Sequence, residues 1–239
     1  MNTIDTSKYV KVLKNCHLLN NLDKESHNEF LSRFHEEKWP KGTCVLNQEK
    51  WFHNFYIILY GRVKMYQVDP KSGKEITLFL LARNDSFDIF CLLDGCQHPV
   101  FYESLDSVNL LAAPMVDVRE WLNKNPQHYQ NLLNYAGKQM RMLENLVSDI
   151  SFVDIPTRLI KLLIRNVKED SNNLNLINDL PNKEIAYLIG STRAVVNRHL
   201  QKLRKCGAIE ISRNHLGIKN ICLLQRLLEL LKLRNSGQK

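Results

Sequence analysis

The 239-residue chain contains no apolar run long enough to cross a membrane. Its longest largely apolar runs, Ile76 to Ala82 and Leu110 to Val116, fall well short of the ~20 residues that a transmembrane helix needs. The N-terminus has no basic stretch followed by an apolar one, so a secretory signal is missing as well. We therefore expect a protein that stays in the compartment where it is made.

Paired cysteines and catalytic motifs are also missing. No C-x-x-C occurs among the six cysteines, which excludes a zinc ribbon or a thioredoxin-type pair and predicts free thiols in a reducing compartment. The chain has no G-x-S-x-G, no H-E-x-x-H and no glycine-rich phosphate loop. We predict that the protein is not an enzyme.

Charge is distributed unevenly along the chain. Residues 153–239 carry 16 Lys and Arg against 7 Asp and Glu, whereas residues 1–152 carry 17 against 18. A nearly neutral first part followed by a basic last third indicates a sensing or structural domain joined to a polyanion-binding one. The alternative is a basic surface that is simply solvated.

Short β runs separated by turn residues extend from Trp39 to Ala113, after one or two short helices within residues 6–34. The candidate strands are Thr43–Leu46, Phe55–Tyr60, Val63–Val68, Glu75–Leu81, Val100–Ser104 and Val108–Ala113. Tyr60-Gly61-Arg62 predicts a tight hairpin, and Asp69–Gly73 predicts a second turn. This pattern is typical of a small antiparallel barrel or jelly roll.

Helical periodicity begins after Pro126 and predicts one helix as far as Phe152, about 40 Å long. Apolar residues three and four positions apart form a seam of Leu132, Ala136, Met140, Leu143, Val147 and Ile150. A seam this regular favours pairing with a second copy of the helix. Packing of the helix on its own barrel is the alternative. We expect Pro156 to stop the helix and to mark a hinge.

The most informative segment extends from Leu180 to Gly207, and its pattern predicts a helix, a turn at a glycine and a second helix. The apolar positions are Ile185, Ala186 and Ile189 in the first helix and Val196, Leu200 and Leu203 in the second. Gly190 makes the turn, and Ser191 or Thr192 caps the second helix. Ala208–Ile211 and Ile218–Leu223 are predicted to form the hairpin of a winged helix-turn-helix.

The second helix presents an open face that is suited to the major groove of DNA. The predicted DNA-binding residues are Ser191, Thr192, Arg193, Ala194, Asn197, Arg198, Gln201 and Lys202. Arg193 and Arg198 can each form a bidentate pair with guanine, although a backbone contact is an equal alternative for Arg198. Phosphate contacts are expected from Lys202, Arg204, Lys205 and Arg213. A plain helical hairpin is the alternative that this basic face argues against.

Barrel, long helix and winged helix in this order resemble the family of cyclic-AMP receptor and fumarate-nitrate regulators. The matching residues are Gly61-Arg-Val-Lys, Gly73-Lys-Glu-Ile-Thr-Leu-Phe-Leu-Leu, Phe101-Tyr102, Leu110-Leu-Ala-Ala-Pro114, Lys124-Asn-Pro126 and Gly190-Ser-Thr-Arg193. Within that family, the chain most resembles the nitrogen-control regulators of cyanobacteria and red-algal plastids. This resemblance implies a homodimer, a palindromic GTA…TAC operator and contact with RNA polymerase.

The effector site departs from the pattern of these relatives. In the loop between the late strands, cyclic-AMP binders have Gly-Glu-Leu and Arg-Ser-Ala, whereas this chain has Asp88-Ile89-Phe90 and Pro99-Val100-Phe101. The nitrogen-control branch binds 2-oxoglutarate through arginines that fall here on Val100 and Gln139. Either the ligand has been lost, or Lys138 and Arg141 replace the missing charges. The candidate effector residues are Phe87, Asp88, Ile89, Phe90, Val100, Gln139, Arg141 and Glu144.

Cys91, Cys96 and His98 support a rival hypothesis, since haem-bound gas sensors of the same superfamily carry Cys and His in this loop. A haem- or thiol-based sensor is therefore the alternative function. A buried cysteine that acts only as a small apolar residue is the simpler explanation. We expect no bound metal and no permanent cofactor.

These observations predict an α+β protein with three parts. An antiparallel β jelly roll of the cyclic-nucleotide-binding type occupies residues 1–125, a dimerisation helix residues 126–152, and a winged helix-turn-helix residues 153–239. The predicted function is a homodimeric, sequence-specific transcription regulator. With 24 Asn against seven Ala, the composition is typical of AT-rich genomes and favours a plastid over a bacterial cytoplasm.

Overall fold

The computed structural model describes residues 9, 12–13, 16–19, 22–45, 54–96, 100–168 and 173–236. The chain forms two compact units. The first unit comprises Met1–Gln67 and Phe79–Met142, and the second comprises Val68–Leu78 and Leu143–Lys239. No helix among the described residues is both long enough and apolar enough to cross a membrane.

Two four-stranded antiparallel sheets form the predicted jelly roll. The first sheet has the order β1-β8-β3-β6 and contains His35–Trp39, Val108–Pro114, Asn54–Tyr60 and Ser86–Phe87. The second has the order β2-β7-β4-β5 and contains Cys44–Val45, Phe101–Ser104, Val63–Val68 and Glu75–Leu81. Both strands that border the Asp69–Gly73 turn have the predicted bounds, and the predicted architecture is confirmed.

One side of the first sheet faces the second sheet, and its other side faces helices. Tyr56 and Phe87 are paired in register on the inner side, and the ring of Phe87 lies 4.9 Å from that of Tyr102 in β7. Phe55 and Ile57 point the opposite way, as expected from the alternation of side chains along a strand, and belong to the main apolar cluster.

On the outer side of the first sheet, the main apolar cluster joins residues of four helices and a few described residues that precede them. The helices are α1 (Lys24–Leu31), α2 (Ile89–Asp94), α3 (Met115–Lys124) and α4 (Tyr129–Phe152), with short 3-10 turns at His17–Leu19 and Pro126–His128. Trp121 of α3 lies at the centre of the cluster, where its ring is 4.7 Å from that of Phe30. The aromatic side chains therefore join α1 and α3 into one layer.

The predicted tight hairpin at Tyr60-Gly61-Arg62 is wrong. The strands on either side of it, β3 and β4, belong to different sheets, so these residues form a corner rather than a hairpin. Gly61 has a φ of +88°, and a Cβ there would stand 2.7 Å from the carbonyl oxygen of Ser107. Only glycine allows the chain to pass between the sheets at this point.

The apolar seam of α4 divides into two parts with different environments. Leu132 and Ala136, 2% and 7% exposed, pack into the main apolar cluster of the first unit. Met140 and Val147, 55% and 63% exposed, lie on the solvent-facing surface of the helix. The first part of the seam thus follows the alternative of packing on the barrel. In the second part, Leu143 and Ile150 are half-buried, and Met140 and Val147 remain exposed.

The second unit contains the predicted winged helix-turn-helix. Its elements after α4 are α5 (Ile155–Arg165), α6 (Asn182–Leu188), α7 (Arg193–Lys205), β9 (Ile209–Ser212), β10 (His215–Ile218) and α8 (Ile221–Ser236). The predicted second strand of the wing, Ile218–Leu223, is wrong. Asn220 accepts a hydrogen bond from the Leu223 amide at 2.9 Å and so starts α8 there.

The prediction that Pro156 stops the long helix is wrong. The long helix ends at Phe152, as predicted, but Pro156 lies beyond this end, in the first turn of α5. Asp154 caps α5 by accepting a hydrogen bond from the Thr157 amide at 3.0 Å. Proline is well suited to the first turn of a helix because the missing N–H has no partner there anyway.

Candidate nucleic-acid interface

The turn between α6 and α7 has the geometry that the sequence predicted. Gly190 adopts a φ of +60°, and the amide of Ser191 donates to the carbonyl of Ala186 at 2.9 Å. Thr192 caps α7, because its side chain accepts a hydrogen bond from the Val195 amide at 3.4 Å. The start of α7 is therefore fixed by local hydrogen bonds.

Helix α7 has one buried face and one open face. Its buried residues are Val196, Leu200 and Leu203, as predicted. Of the predicted DNA-binding residues, Arg193, Ala194, Asn197, Arg198, Lys202 and Thr192 are exposed, and Gln201 and Ser191 are half-buried. The structure thus brings the predicted base-reading side chains together along one helix, mostly in solvent.

Arg158 of α5 supports this turn from behind. Its Nη1 donates to the carbonyl oxygen of Ile189 at 2.6 Å, directly before Gly190. Burial lowers the pKa of Arg158, and the nearby carboxylates of Asp149 and Asp154 oppose that effect. The guanidinium therefore satisfies a backbone carbonyl that would otherwise lack a partner near the helix end.

The open face is strongly basic. Among the described residues, no ion-pair partner is found for the six side chains that could meet DNA: Arg193, Arg198, Lys202, Arg204, Lys205 and Arg213. Burial and the adjacent charges of Arg198 and Lys202 lower the pKa of His199. These cations are therefore available to phosphates and base edges.

A further polar contact near this turn was not predicted from the sequence. The side-chain amide of Asn182, the first residue of α6, donates to Oδ1 of Asn197 at 3.2 Å. The two residues lie fifteen positions apart on different helices. No sequence pattern pairs them, since helical periodicity relates residues only within one helix.

The candidate effector residues lie in several environments. Phe87, Asp88, Ile89, Val100 and Gln139 are buried, Phe90 is half-buried, and Arg141 and Glu144 are exposed. Asp88 precedes α2 with a φ of +67°, so the segment predicted as a loop is in fact the start of a helix. These eight side chains therefore range from buried to exposed, and their role in binding an effector stays a prediction.

Aromatic rings occupy the space between the two sheets near Phe87. Phe87 stacks on Tyr56 with ring centroids 4.9 Å apart, and Trp39 lies 5.4 Å from Tyr56. Burial raises the pKa of Tyr56 to about 12, which keeps its hydroxyl protonated. Of the two cations proposed to replace the missing arginines, Lys138 lies 3.0 Å from Nε2 of His17, and Arg141 is exposed.

A buried tyrosine attaches α4 to the barrel. The hydroxyl of Tyr135 accepts a hydrogen bond from the Ser86 amide at 3.1 Å. Its own proton faces the Ser86 carbonyl at 3.1 Å and Oδ1 of Asp85 at 3.3 Å. Burial raises the pKa of Asp85, and the side chain of Gln139 also bonds to Tyr135.

The residues of the haem hypothesis are not assembled within the described residues. Cys91 is buried in α2, Cys96 is exposed, and His98 lies outside the described part of the chain. In that part, no three His, Cys, Asp or Glu side chains are grouped so that they could hold a metal ion. All six cysteines are free thiols.

Comparison with known proteins matches both units to established families. Residues 157–227 match the Crp-like helix-turn-helix domain, and residues 36–125 match the cyclic nucleotide-binding domain. The CRP-like cAMP-activated global transcriptional regulator of Mycobacterium tuberculosis is 25% identical over 72% of this chain and 79% of its own length. The global nitrogen regulator of Nostoc is 29% identical over the same shares.

Solved structures show the same fold. A CooA mutant from Carboxydothermus hydrogenoformans has a TM-score of 0.70 and 20% identity, covering 89% of this chain and 94% of that one. The c-di-GMP responsive global regulator CLP of Xanthomonas campestris has a TM-score of 0.69 and 16% identity, covering 82% and 99%. At this identity the likeness concerns the fold alone.

Proposed function

Since the chain belongs to the CRP/FNR family of DNA-binding transcriptional regulators, we propose that α7 reads base edges in the major groove of a specific operator. The observation that carries this proposal is the open face of α7. It exposes Arg193, Asn197 and Arg198 while the opposite face is buried in the second unit. The turn before α7, held by Arg158, supports the presentation of this face.

Each side chain on the open face has a role suited to its chemistry. Arg193 and Arg198 donate in pairs to guanine O6 and N7, the commonest specific contact in the major groove. Asn197 and Gln201 complete the readout of base edges. The lysines and arginines beyond them neutralise phosphates and fix the position of α7 along the duplex.

We propose further that two copies of the chain bind one palindromic operator. Met140 and Val147, seven residues apart, leave an exposed apolar stripe on α4, as the seam of a helix pair requires. A two-fold symmetric dimer places its α7 helices in half-sites about one helical turn apart. The element we propose is of the GTA…TAC type.

The genes we propose as targets are those of nitrogen assimilation, in a plastid or a bacterial cytoplasm, with RNA polymerase as the partner at the promoter. Several relatives support this proposal, since global nitrogen regulators of Nostoc and Synechocystis are both 29% identical to this chain. The cyclic nucleotide-binding domain supports a small-molecule effector. We propose 2-oxoglutarate as this effector. In its binding, the exposed Arg141 would replace an arginine that relatives carry at the positions of Val100 and Gln139.

Binding of the purified protein to a labelled GTA…TAC duplex tests this function. The measurement compares the duplex with a scrambled one of equal length, at two salt concentrations, with and without 2-oxoglutarate. We expect preference for the GTA…TAC duplex and a steep decrease of affinity with salt for both. Equal affinity for the two duplexes would contradict the operator assignment.

The 2-oxoglutarate arm tests the effector separately. Tighter binding in its presence, abolished by Arg141→Ala, is the expected result. Specific binding that does not respond to 2-oxoglutarate would contradict this effector while leaving the operator assignment intact.

A further inference from the structure

The contact between Asn182 and Asn197 joins the start of α6 to the middle of the open face of α7. Asn182 is half-buried and Asn197 is exposed, and the amide nitrogen of the first donates to Oδ1 of the second at 3.2 Å. Arg193 lies one helical turn before Asn197 on the same face. Asn197 is therefore placed among the residues proposed to read bases.

In this hydrogen bond, the Oδ1 end of the Asn197 amide faces Asn182. An asparagine amide has a carbonyl oxygen that accepts and an NH2 group that donates, and rotation by about 180° exchanges them. With Oδ1 held by Asn182, the NH2 group of Asn197 points away from α6. The side chain then offers donors to whatever approaches the open face.

We propose that Asn182 is a specificity-determining residue of the operator, acting through Asn197. It holds Asn197 as a donor, which selects a base whose major-groove edge presents an acceptor, such as guanine O6, thymine O4 or a purine N7. Cytosine is rejected at that position because its edge offers the N4 donor instead. The inference rests on the proposed function, in which α7 enters the major groove.

If the hydrogen bond between Asn182 and Asn197 served only to stabilise the fold, its removal would change the free energy of unfolding very little. Both amides have access to water in the free protein, and a hydrogen bond between solvent-accessible neutral groups adds little to stability. The orientation matters once DNA excludes water, because an unmatched donor or acceptor is then left without a partner. The expected effect therefore lies in base preference rather than in stability.

The test reverses the polarity of the contact. Asn182→Asp replaces the donor by a carboxylate, which only accepts, so the NH2 group of Asn197 turns toward it and Oδ1 faces the DNA. Asn182→Leu removes the contact without imposing either orientation. Asn197→Ala removes the reading side chain and identifies the position in the half-site that it contacts. Thermal unfolding of each variant checks that the fold is kept.

The readout is the ratio of affinities among duplexes that differ at one base pair. The wild-type protein first selects its preferred operator from a random duplex library, and every half-site position is then replaced by each of the other pairs. Ratios are used because the negative charge added by Asn182→Asp lowers affinity for all duplexes alike and leaves the ratios unchanged.

We expect Asn197→Ala to lose discrimination at one position, by about 5- to 100-fold as for a single mismatched pair. At that position, Asn182→Asp shifts the preference toward cytosine. Asn182→Leu brings the affinities for the four base pairs closer together. Unchanged preferences in both Asn182 variants would overturn the inference. If the wild-type protein selects no sequence at all, the proposed function itself fails, which is a distinct result.

Discussion

At the scale of single residues, two glycines allow the chain to turn between neighbouring elements. Gly61 passes between the two sheets and Gly190 separates α6 from α7, and both have positive φ angles. Gly61 is the more crowded, since a Cβ there would meet both Ser107 and Val108 within 3.0 Å. The sequence suggested a turn at each, but only the structure shows which sheets the first one joins.

Gly61→Ala is expected to destabilise the protein by more than Gly73→Ala does. Both positions have positive φ, with a cost of about 1–2 kcal/mol for a non-glycine residue. Only Gly61 adds a clash, which costs about 1–3 kcal/mol more, because no described residue lies within 4 Å of a Cβ on Gly73. Urea unfolding followed by tryptophan fluorescence measures the free energy of unfolding of both variants. Equal losses of stability would contradict the proposed clash at Gly61.

Buried His27 predicts a dependence of stability on pH. Its ring is 7% exposed, its Nδ1 has no hydrogen-bond partner among the described residues, and burial lowers its pKa. The unfolded chain binds a proton below about pH 6.5 and the folded chain resists it, so stability decreases as the pH falls through that range. His27→Leu is expected to flatten the decrease below about pH 6.5. An unchanged slope in urea unfolding would contradict this.

At the scale of secondary-structure elements, strong local signals predicted the fold well and weak ones did not. A strong turn sequence, Asp69–Gly73, separates two β runs here, and the bounds of both strands agree with the prediction. Strand β1 was missed because His35–Trp39 is mostly charged and lies at the edge of its sheet, next to β8 among the described strands. Helix α8 was missed because the wing was extended into Ile221–Leu223.

The candidate DNA-binding face was similarly predictable within one helix and not between helices. Periodicity separates Val196, Leu200 and Leu203 from the exposed residues of α7, and the structure agrees. The support given by Arg158 to Ile189 and by Asn182 to Asn197 depends on how α5, α6 and α7 cross. Spacing along the sequence does not contain that information.

The attachment of α4 to the barrel predicts different effects for two tyrosines on one helix. Tyr135→Phe removes the acceptor of the buried Ser86 amide and is expected to cost about 1–3 kcal/mol of unfolding free energy. Tyr129→Phe removes an exposed bond to Asn123 and is expected to cost far less. Chemical unfolding of both variants checks this, and equal costs would argue against the buried network.

At the scale of the whole molecule, two surface features outside the packed cores match the proposed partners. The basic last third of the chain, with a net charge of +9 in residues 153–239, suits a polyanion such as DNA. The apolar stripe on α4 suits a second copy of the chain. The charge difference was visible in the sequence, whereas the division of the α4 seam was not.

Charge placed on the α4 stripe is expected to give monomers. Met140→Glu with Val147→Glu puts carboxylates where the proposed helix pair would bury them, and such unpaired charges are not tolerated in an apolar interface. Asn145→Glu, exposed on another side of α4, is the matched control and is expected to remain dimeric. Size-exclusion chromatography with light scattering gives the masses. A wild-type monomer, or a double variant that remains dimeric, would contradict the proposed interface.

The central claim, that α7 reads a DNA sequence, is tested most directly by comparing arginine variants on the operator selected by the wild-type protein. Arg193→Ala and Arg198→Ala are each expected to lower affinity for that operator by about 1–3 kcal/mol relative to a scrambled duplex. Arg226→Ala, which removes an exposed arginine of α8, is expected to leave that ratio unchanged. If both α7 variants kept the wild-type ratio, α7 would not be the reading element.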